Sequence, residues 1–418
     1  MSSGTAEFDA KCTHAPCRSC AAKGLLPILD LGQSPLADGL RTQEQLTQPE
    51  PKFPLQVAFC EKCGLVQILE TVPPQELFLG DYPYYSSFSP ALLTHSRDNA
   101  LDLIKSRKLN GSSLVVELAS NDGYLLENFV EAGVPVLGID PAPGPAAAAQ
   151  RAGVRTMNTF FDLDLAKRLR DQSHRADVII ANNVLAHVAD TNGFVEGIHA
   201  LLKDDGVAVI EVPYVRDLID HGEFDTIYHE HLCYFSATSV DALFRRHGLY
   251  LNDVKRLSIH GGSLRLYFGP TDNVQPAVKN LMAEEREIGV DRYPFFEQFG
   301  KRVSEVRRLL RNLMGELCGK SKRIAAYGAA AKGTTLLNYV GIGTDQIDFV
   351  VDRNVHKHGK FMPGVHIPIK APEKLSELQP DYVLLLAWNF KDEIMAQQSD
   401  YLSKGGRFIV PIPSPQVV

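Results

Sequence analysis

The chain has 418 residues, enough for about three domains of ~150 residues each and for sizeable cores. Apolar residues make up 44% and charged residues 22%, ordinary values for a folded soluble protein that exclude wholesale disorder. With 43 Lys and Arg against 50 Asp and Glu, the net charge of −7 argues against chain-wide attraction to nucleic acid or anionic lipid. No apolar run approaches the ~20 residues that span a bilayer, and the N-terminus has Glu7 and Asp9 but no apolar stretch of a signal peptide. The expectation is a cytoplasmic protein with no membrane and no nucleic-acid partner. Seven cysteines are too few for a disulfide scaffold.

Residues 1–80 read as a small metal-stabilised domain. Two knuckles, Cys17-Arg-Ser-Cys20 and Cys60-Glu-Lys-Cys63, each lie near a glycine, Gly24 and Gly64. A CxxC turn aims both sulfurs at one point, and two turns supply the tetrahedral thiolate set that Zn²⁺ prefers. The spacer of 39 residues is longer than in a compact ribbon. The expected ligands are Cys17, Cys20, Cys60 and Cys63, with Cys12 a competitor for Cys17; a redox pair is the alternative. Four thiolates leave no open position, so this zinc would be structural. The segment has few basic residues and no aromatic–basic interleaving, which disfavours a nucleic-acid ribbon. Cys233 and Cys318 read as isolated core cysteines.

A Tyr- and Ser-rich link, Asp81 to Ser89, precedes a helical pattern from Pro90 to about Lys108. Short apolar runs then alternate with helical stretches: Leu114–Ala119, Val136–Asp140, Asp177–Asn182 and Val207–Val212. That alternation predicts a parallel sheet with helices on both faces, spanning the domain 81–272. The first run passes through a small polar turn, Ala119-Ser-Asn-Asp-Gly123, into a helix, placing a cofactor at the carboxyl ends of the strands. Gly123 is expected to permit close backbone approach. Asp140, ~20 residues on, suits a pair of ribose hydroxyls.

So far NAD would serve as well as any adenosine cofactor. Three details favour S-adenosylmethionine (SAM): the turn lacks GxGxxG, Glu117 puts an acid where NAD has phosphates, and the fourth strand ends in the polar Asn182-Asn183-Val-Leu-Ala-His187. The pattern resembles class I SAM-dependent methyltransferases. Residues expected around the cofactor are Tyr85, Ser87, Glu117, Ala119, Ser120, Asn121 and Gly123. Asp140, Pro141, Phe160, Asn182 and Asn183 complete them.

After the fifth strand, Tyr228-His229-Glu230-His231 gathers groups that are costly to bury unless they act. Spacing i, i+3 aims Tyr228 and His231 at one point. Zinc is a poor alternative here, because HEH lacks the HExxH spacing and a clear third ligand; a bland surface loop is the other. A neutral imidazole can deprotonate a carbon beside a ketone if donors stabilise the enolate oxygen, and His187, Tyr82 and Tyr228 are candidate donors.

Residues from about 274 to 318 read as long connecting helices, and the order then restarts. Strands at Arg323–Gly328, Ile347–Asp352, Asp381–Trp388 and Arg407–Pro411 predict a second, smaller α/β domain within 273–418. Gly328-x-x-x-Lys332-Gly333, with Asp352 ~20 residues later, could hold NAD, a pyrophosphate without a redox partner, or nothing.

Taken in order, Cys17xxCys20, Cys60xxCys63, Tyr84 to Ser89, Glu117 to Gly123, Tyr228 to His231, His260 to Arg265, Gly328 to Gly333 and Val351 to Lys357 resemble one family over nearly the whole chain. It is that of the three-domain SAM-dependent nucleotide-sugar C-methyltransferases. The resemblance implies an N-terminal zinc-binding module, a central class I SAM-methyltransferase domain and a C-terminal Rossmann-like domain. It also implies methylation at C3 of a nucleoside-diphosphate 4-keto-6-deoxyhexose, expected to be TDP-linked. His231 would be the general base, Tyr228 and Glu230 would orient base and substrate, and Tyr82 and His187 would flank the sugar. His260, Ser263, Arg265, Lys332, Gly333 and Asp352 would serve the sugar nucleotide.

Overall fold

The computed structural model describes residues 2–78 and 85–418, with side chains except at residues 2–6, 78 and 260. Strands β1 (Leu26–Ser34), β2 (Phe53–Phe59) and β3 (Val66–Ile68) form an antiparallel meander, and the first knuckle precedes it. The second knuckle makes the β2–β3 turn, where Gly64 takes a φ of +74° that side-chain-bearing residues avoid.

The central sheet starts with β4 (Val115–Leu118), β5 (Val136–Asp140), β6 (Thr156–Asn158), β7 (Ala176–Asn182) and β8 (Leu202–Pro213), all parallel. β9 (Cys233–Tyr234) leaves it and pairs antiparallel with β3, becoming the fourth strand of the first sheet. β10 (Tyr250–Leu257) and β11 (Ser263–Gly269) then close the central sheet in the order β10-β11-β8-β7-β4-β5-β6. Every residue of β4 is buried, as a central parallel strand requires. Chain order reverses between β4 and β7, which opens a ligand crevice at their carboxyl ends.

The helix Pro90–Arg107 covers one face of this sheet; Ser89 caps it by accepting from the Leu92 amide, with Pro90 in its first turn. Helices Pro276–Ile288 and Tyr293–Gly319 form the connector, and Phe296 of the second meets Phe59 with ring centroids 4.7 Å apart. The third sheet orders β14 (Ile369–Lys370), β13 (Val350–Val351), β12 (Ile324–Tyr327), β15 (Tyr382–Leu385), β16 (Arg407–Val410) and β17 (Gln416–Val417). All its pairings are parallel except β16–β17. Cys233 is buried as expected, whereas Cys318 is only half-buried, on the flank of the long helix.

Candidate active site and zinc centre

The sulfurs of Cys17, Cys20, Cys60 and Cys63 lie within 4.8 Å of one another, with Cys17–Cys63 at 3.5 Å and Cys20–Cys60 at 3.6 Å. A tetrahedral ion with Zn–S bonds of ~2.3 Å needs sulfurs ~3.8 Å apart, so these residues fit zinc. The neighbouring thiols pull Cys60 down to about 2 and push Cys17 and Cys63 up, a crowding that a dication relieves. Cys12 stands outside this group, and burial pushes its thiol up to about 11.

At the crevice, the β4 turn is shaped by Ala119 and Asn121, both at positive φ (+55° and +50°), and Asn183 at the end of β7 is also left-handed. The Asn121 side chain accepts from the Ser86 amide at 2.9 Å and Asp122 from the Ser87 amide at 3.2 Å. These bonds tie the Tyr85–Phe88 segment to the turn, and the Tyr85 hydroxyl lies close enough to Gly144 to meet a Cβ there at 2.8 Å. Asp140 accepts the Asn121 and Ala142 amides, each at 2.8 Å. Gly123 takes a φ of +85°, and a Cβ there would meet Val154 at 3.0 Å and Ala149 at 3.2 Å, so it also lets the turn pack on the following α/β unit. Pro141 and Phe160 are half-buried just beyond β5 and β6.

The crevice is rich in acceptors. Glu117 Oε2, Ser120 Oγ, Asn182 Oδ1 and Asn183 Oδ1 are buried without a hydrogen-bond partner among the described residues. Burial, then Asp140 and Asp122, hold the Glu117 carboxyl well above its usual range. Such a site repels phosphates and suits a ligand bearing an ammonium, a sulfonium and ribose hydroxyls. SAM fits it, and NAD does not.

In the loop that leads into β9, His231 donates from Nδ1 to the Thr226 carbonyl at 2.8 Å. That leaves Nε2 with its lone pair, 3.0 Å from the Tyr228 hydroxyl. His187 stacks edge-on against the His231 ring at 4.9 Å, and burial drops its pKa to about 4, so it is neutral at physiological pH. Glu230 faces Asp38 of the first domain; burial, then that charge, pushes its carboxyl up to about 8. His229, unassigned from sequence, reaches the Pro54 carbonyl of β2 at 3.2 Å. Tyr82 lies outside the described residues, as does the side chain of His260.

Most of the expected sugar-nucleotide residues are engaged by other side chains or by the backbone. Arg265 is buried and donates to Glu211 at 2.5 Å, and Glu211 also meets His95 at 2.9 Å. The Ser263 hydroxyl donates to the Ile259 carbonyl at 3.1 Å. Asp352 accepts the Ala329 amide at 2.7 Å and the Asn354 amide at 2.8 Å, while Lys357 donates to the Ala329 carbonyl at 2.8 Å. The turn after β12 is thus filled by its own side chains, which speaks against a dinucleotide there. A Cβ on Gly333 would meet Leu386 at 3.0 Å, so this glycine packs its helix on the sheet. Lys332 turns toward Asp225, Asn389 and Trp388. Of these partners only Trp388 offered a signal, a lone tryptophan at a strand end.

A thiolate cage, an acceptor-lined crevice on a seven-stranded sheet and a histidine–tyrosine turn above it define a SAM-dependent methyltransferase with a structural zinc. Family models match in three consecutive parts: a zinc binding domain at residues 17–78, a methyltransferase domain at 91–254 and a C-methyltransferase C-terminal domain at 258–413. The C-methyltransferase NovU of Streptomyces niveus is 38% identical over 406 residues, covering 96% of each chain. The chain belongs to this family of three-domain C-methyltransferases. A ubiquinone biosynthesis O-methyltransferase of Azorhizobium caulinodans is 30% identical over 100 residues, 23% of this chain and 38% of that one. Magnesium protoporphyrin IX methyltransferase from Synechocystis, solved with bound SAM, is 15% identical, covering 43% of this chain and 79% of that chain. Its TM-score of 0.34 is too low to carry an inference. No described helix is long and apolar enough to cross a membrane.

Proposed function

We propose that this enzyme methylates C3 of a nucleoside-diphosphate 4-keto-6-deoxyhexose in the cytoplasm, with His231 as general base. The observation that carries the reading is the imidazole held at Nδ1 by the Thr226 carbonyl, its basic Nε2 beside the Tyr228 hydroxyl. Nε2 takes the C3 proton, and the electron pair moves into a C3–C4 enolate whose oxygen needs hydrogen-bond donors. Tyr228, neutral His187 and the protonated carboxyl of Glu230 are suited to supply them. SAM, which the acceptors around Glu117, Asn121, Asp140 and Asn182 would hold, would supply an electrophilic methyl group and leave as S-adenosylhomocysteine. The three segments 1–80, 81–272 and 273–418 divide the work into metal-held scaffold, chemistry and recognition of the nucleotide sugar.

The test is turnover with SAM and a panel of freshly generated 4-keto-6-deoxy and 2,6-dideoxy sugar nucleotides, following sugar and S-adenosylhomocysteine together by mass spectrometry. One panel member should gain a methylene with matching S-adenosylhomocysteine, and His231→Ala should abolish this while zinc content and SAM binding persist. A methyl found on oxygen or nitrogen by NMR, or no product on any member, would sink the substrate assignment.

A further inference from the structure

The helix Ala331–Val340 of the third domain turns one face to the loop that precedes the base. Lys332, Thr335 and Tyr339 stand at i, i+3 and i+7 along it, a single helical stripe. Lys332 Nζ lies 3.7 Å from Asp225 Oδ2, the Thr335 hydroxyl donates to the Ile227 carbonyl at 3.1 Å, and the Tyr339 ring meets Phe224 at 5.4 Å. Trp388, at the end of β15, joins them: its Nε1–H donates to Asp225 at 2.7 Å, and Lys332 lies 4.2 Å over its ring. Asp225 is fully buried, so these partners are what make its carboxylate tolerable. The contacts fall on residues 225 and 227, on either side of Thr226. It is the Thr226 carbonyl that accepts the Nδ1 proton of His231.

We propose that this helix face is a positioning device for catalysis. Thr335 and Lys332 fix the Thr226 carbonyl, and through it the tautomer and aim of the His231 ring; the inference rests on His231 being the base. A ring nitrogen is basic only while the other holds the proton, and a hydrogen bond to a fixed carbonyl selects that tautomer. If the carbonyl drifts, the proton is free to sit on Nε2, which then cannot accept another. The third domain therefore acts on the chemical step as well as on recognition. It also accounts for Lys332, expected from sequence to meet a pyrophosphate, being occupied by Asp225, Asn389 and Trp388.

The experiment compares Thr335→Val, Thr335→Ser and His231→Ala as full-length, zinc-loaded enzymes on the keto-sugar nucleotide that the wild type methylates. Thr335→Val should lower kcat roughly tenfold, the loss of one positioned hydrogen bond, with KM for the sugar and SAM affinity unchanged. Thr335→Ser should restore kcat. Deuterium wash-in from D2O at the sugar's acidic carbon should fall in step with kcat, because proton removal is the step affected. Wild-type kcat in Thr335→Val, a loss confined to KM, or a loss that serine does not rescue would overturn the proposal. Should the valine variant not fold, Thr335→Ala, which also removes the hydroxyl, carries the same expectation and the same refutation. Turnover by His231→Ala would refute the base itself, whereas an inactive His231→Ala beside a normal Thr335→Val refutes only the positioning role.

Discussion

Tyr228 and His231 share one hydrogen bond, 3.0 Å from hydroxyl to Nε2, while their rings lie 4.1 Å apart and tilted by 33°. The pair therefore couples a donor to the basic nitrogen, while the Thr226 carbonyl holds the other face of the imidazole at Nδ1. Tyr228→Phe keeps the ring contact and removes only the hydroxyl. It should lower kcat about a hundredfold, the scale of losing one enolate-stabilising donor, with melting temperature and SAM affinity unchanged. Single-turnover methyl transfer is the measurement; a variant within about twofold of wild type would mean the hydroxyl takes no part.

Glu230 makes a prediction about pH. Buried beside Asp38, its carboxyl is raised to about 8, well above the ~4.3 of an unfolded glutamate. Between those values the native state binds a proton that the unfolded state releases, so this group's contribution to stability falls as pH rises through that window. Glu230→Gln mimics the protonated form at every pH. It should keep activity near pH 7, abolish any loss of activity around pH 8, and melt above the wild type at pH 8.5. An activity profile with the same basic limb in both proteins would exclude Glu230 as its source.

Zinc should matter to catalysis through the first sheet. The Cys60–Cys63 turn joins β2 to β3, β3 pairs with β9, and only Leu232 separates β9 from His231. Cys60→Ser should lose the metal, lower the melting temperature by roughly 10 °C and reduce kcat, several kcal/mol being typical of a lost structural site. Tryptophan-independent SAM binding, read by calorimetry, should survive at low temperature because the crevice belongs to the central sheet. Full activity in a zinc-free protein would break the link between the knuckle and the base.

The two kinds of feature differed in how far sequence could carry them. The knuckles, the buried run of β4 and the Tyr228–His231 pair are local: spacing within a few residues already determines which side chains meet. Partnerships made across domains leave no such trace. Asp225 and Trp388 are 163 residues apart, and nothing periodic links Glu230 to Asp38 or β9 to β3. Arg265 and Asp352 show the converse. Each is a charged residue in a motif and so looks ligand-facing, yet the fold uses one to hold Glu211 beneath the Pro90–Arg107 helix and the other to close the turn after β12. At Gly123 the sequence marks the turn, but the Ala149 and Val154 atoms that a side chain there would meet lie more than twenty residues away and leave no local trace.

Asp140 separates binding from chemistry. Its two oxygens each take one backbone amide at 2.8 Å, from Asn121 on the β4 turn and Ala142 at the next helix, so it fixes both walls of the crevice. Each oxygen keeps a lone pair for a ribose hydroxyl. Asp140→Asn would set an NH2 group against one amide and offer one acceptor fewer. Losing charge-assisted bonds of that kind should weaken SAM binding roughly 10- to 100-fold, with kcat at saturating SAM changed by less than about threefold, because no proton moves through this residue. Calorimetric titration with SAM and kcat measured at high SAM distinguish the outcomes. Unchanged affinity would show that Asp140 only braces the turn. A fall in kcat at saturation, matching that of His231→Ala, would instead tie the turn's geometry directly to methyl transfer.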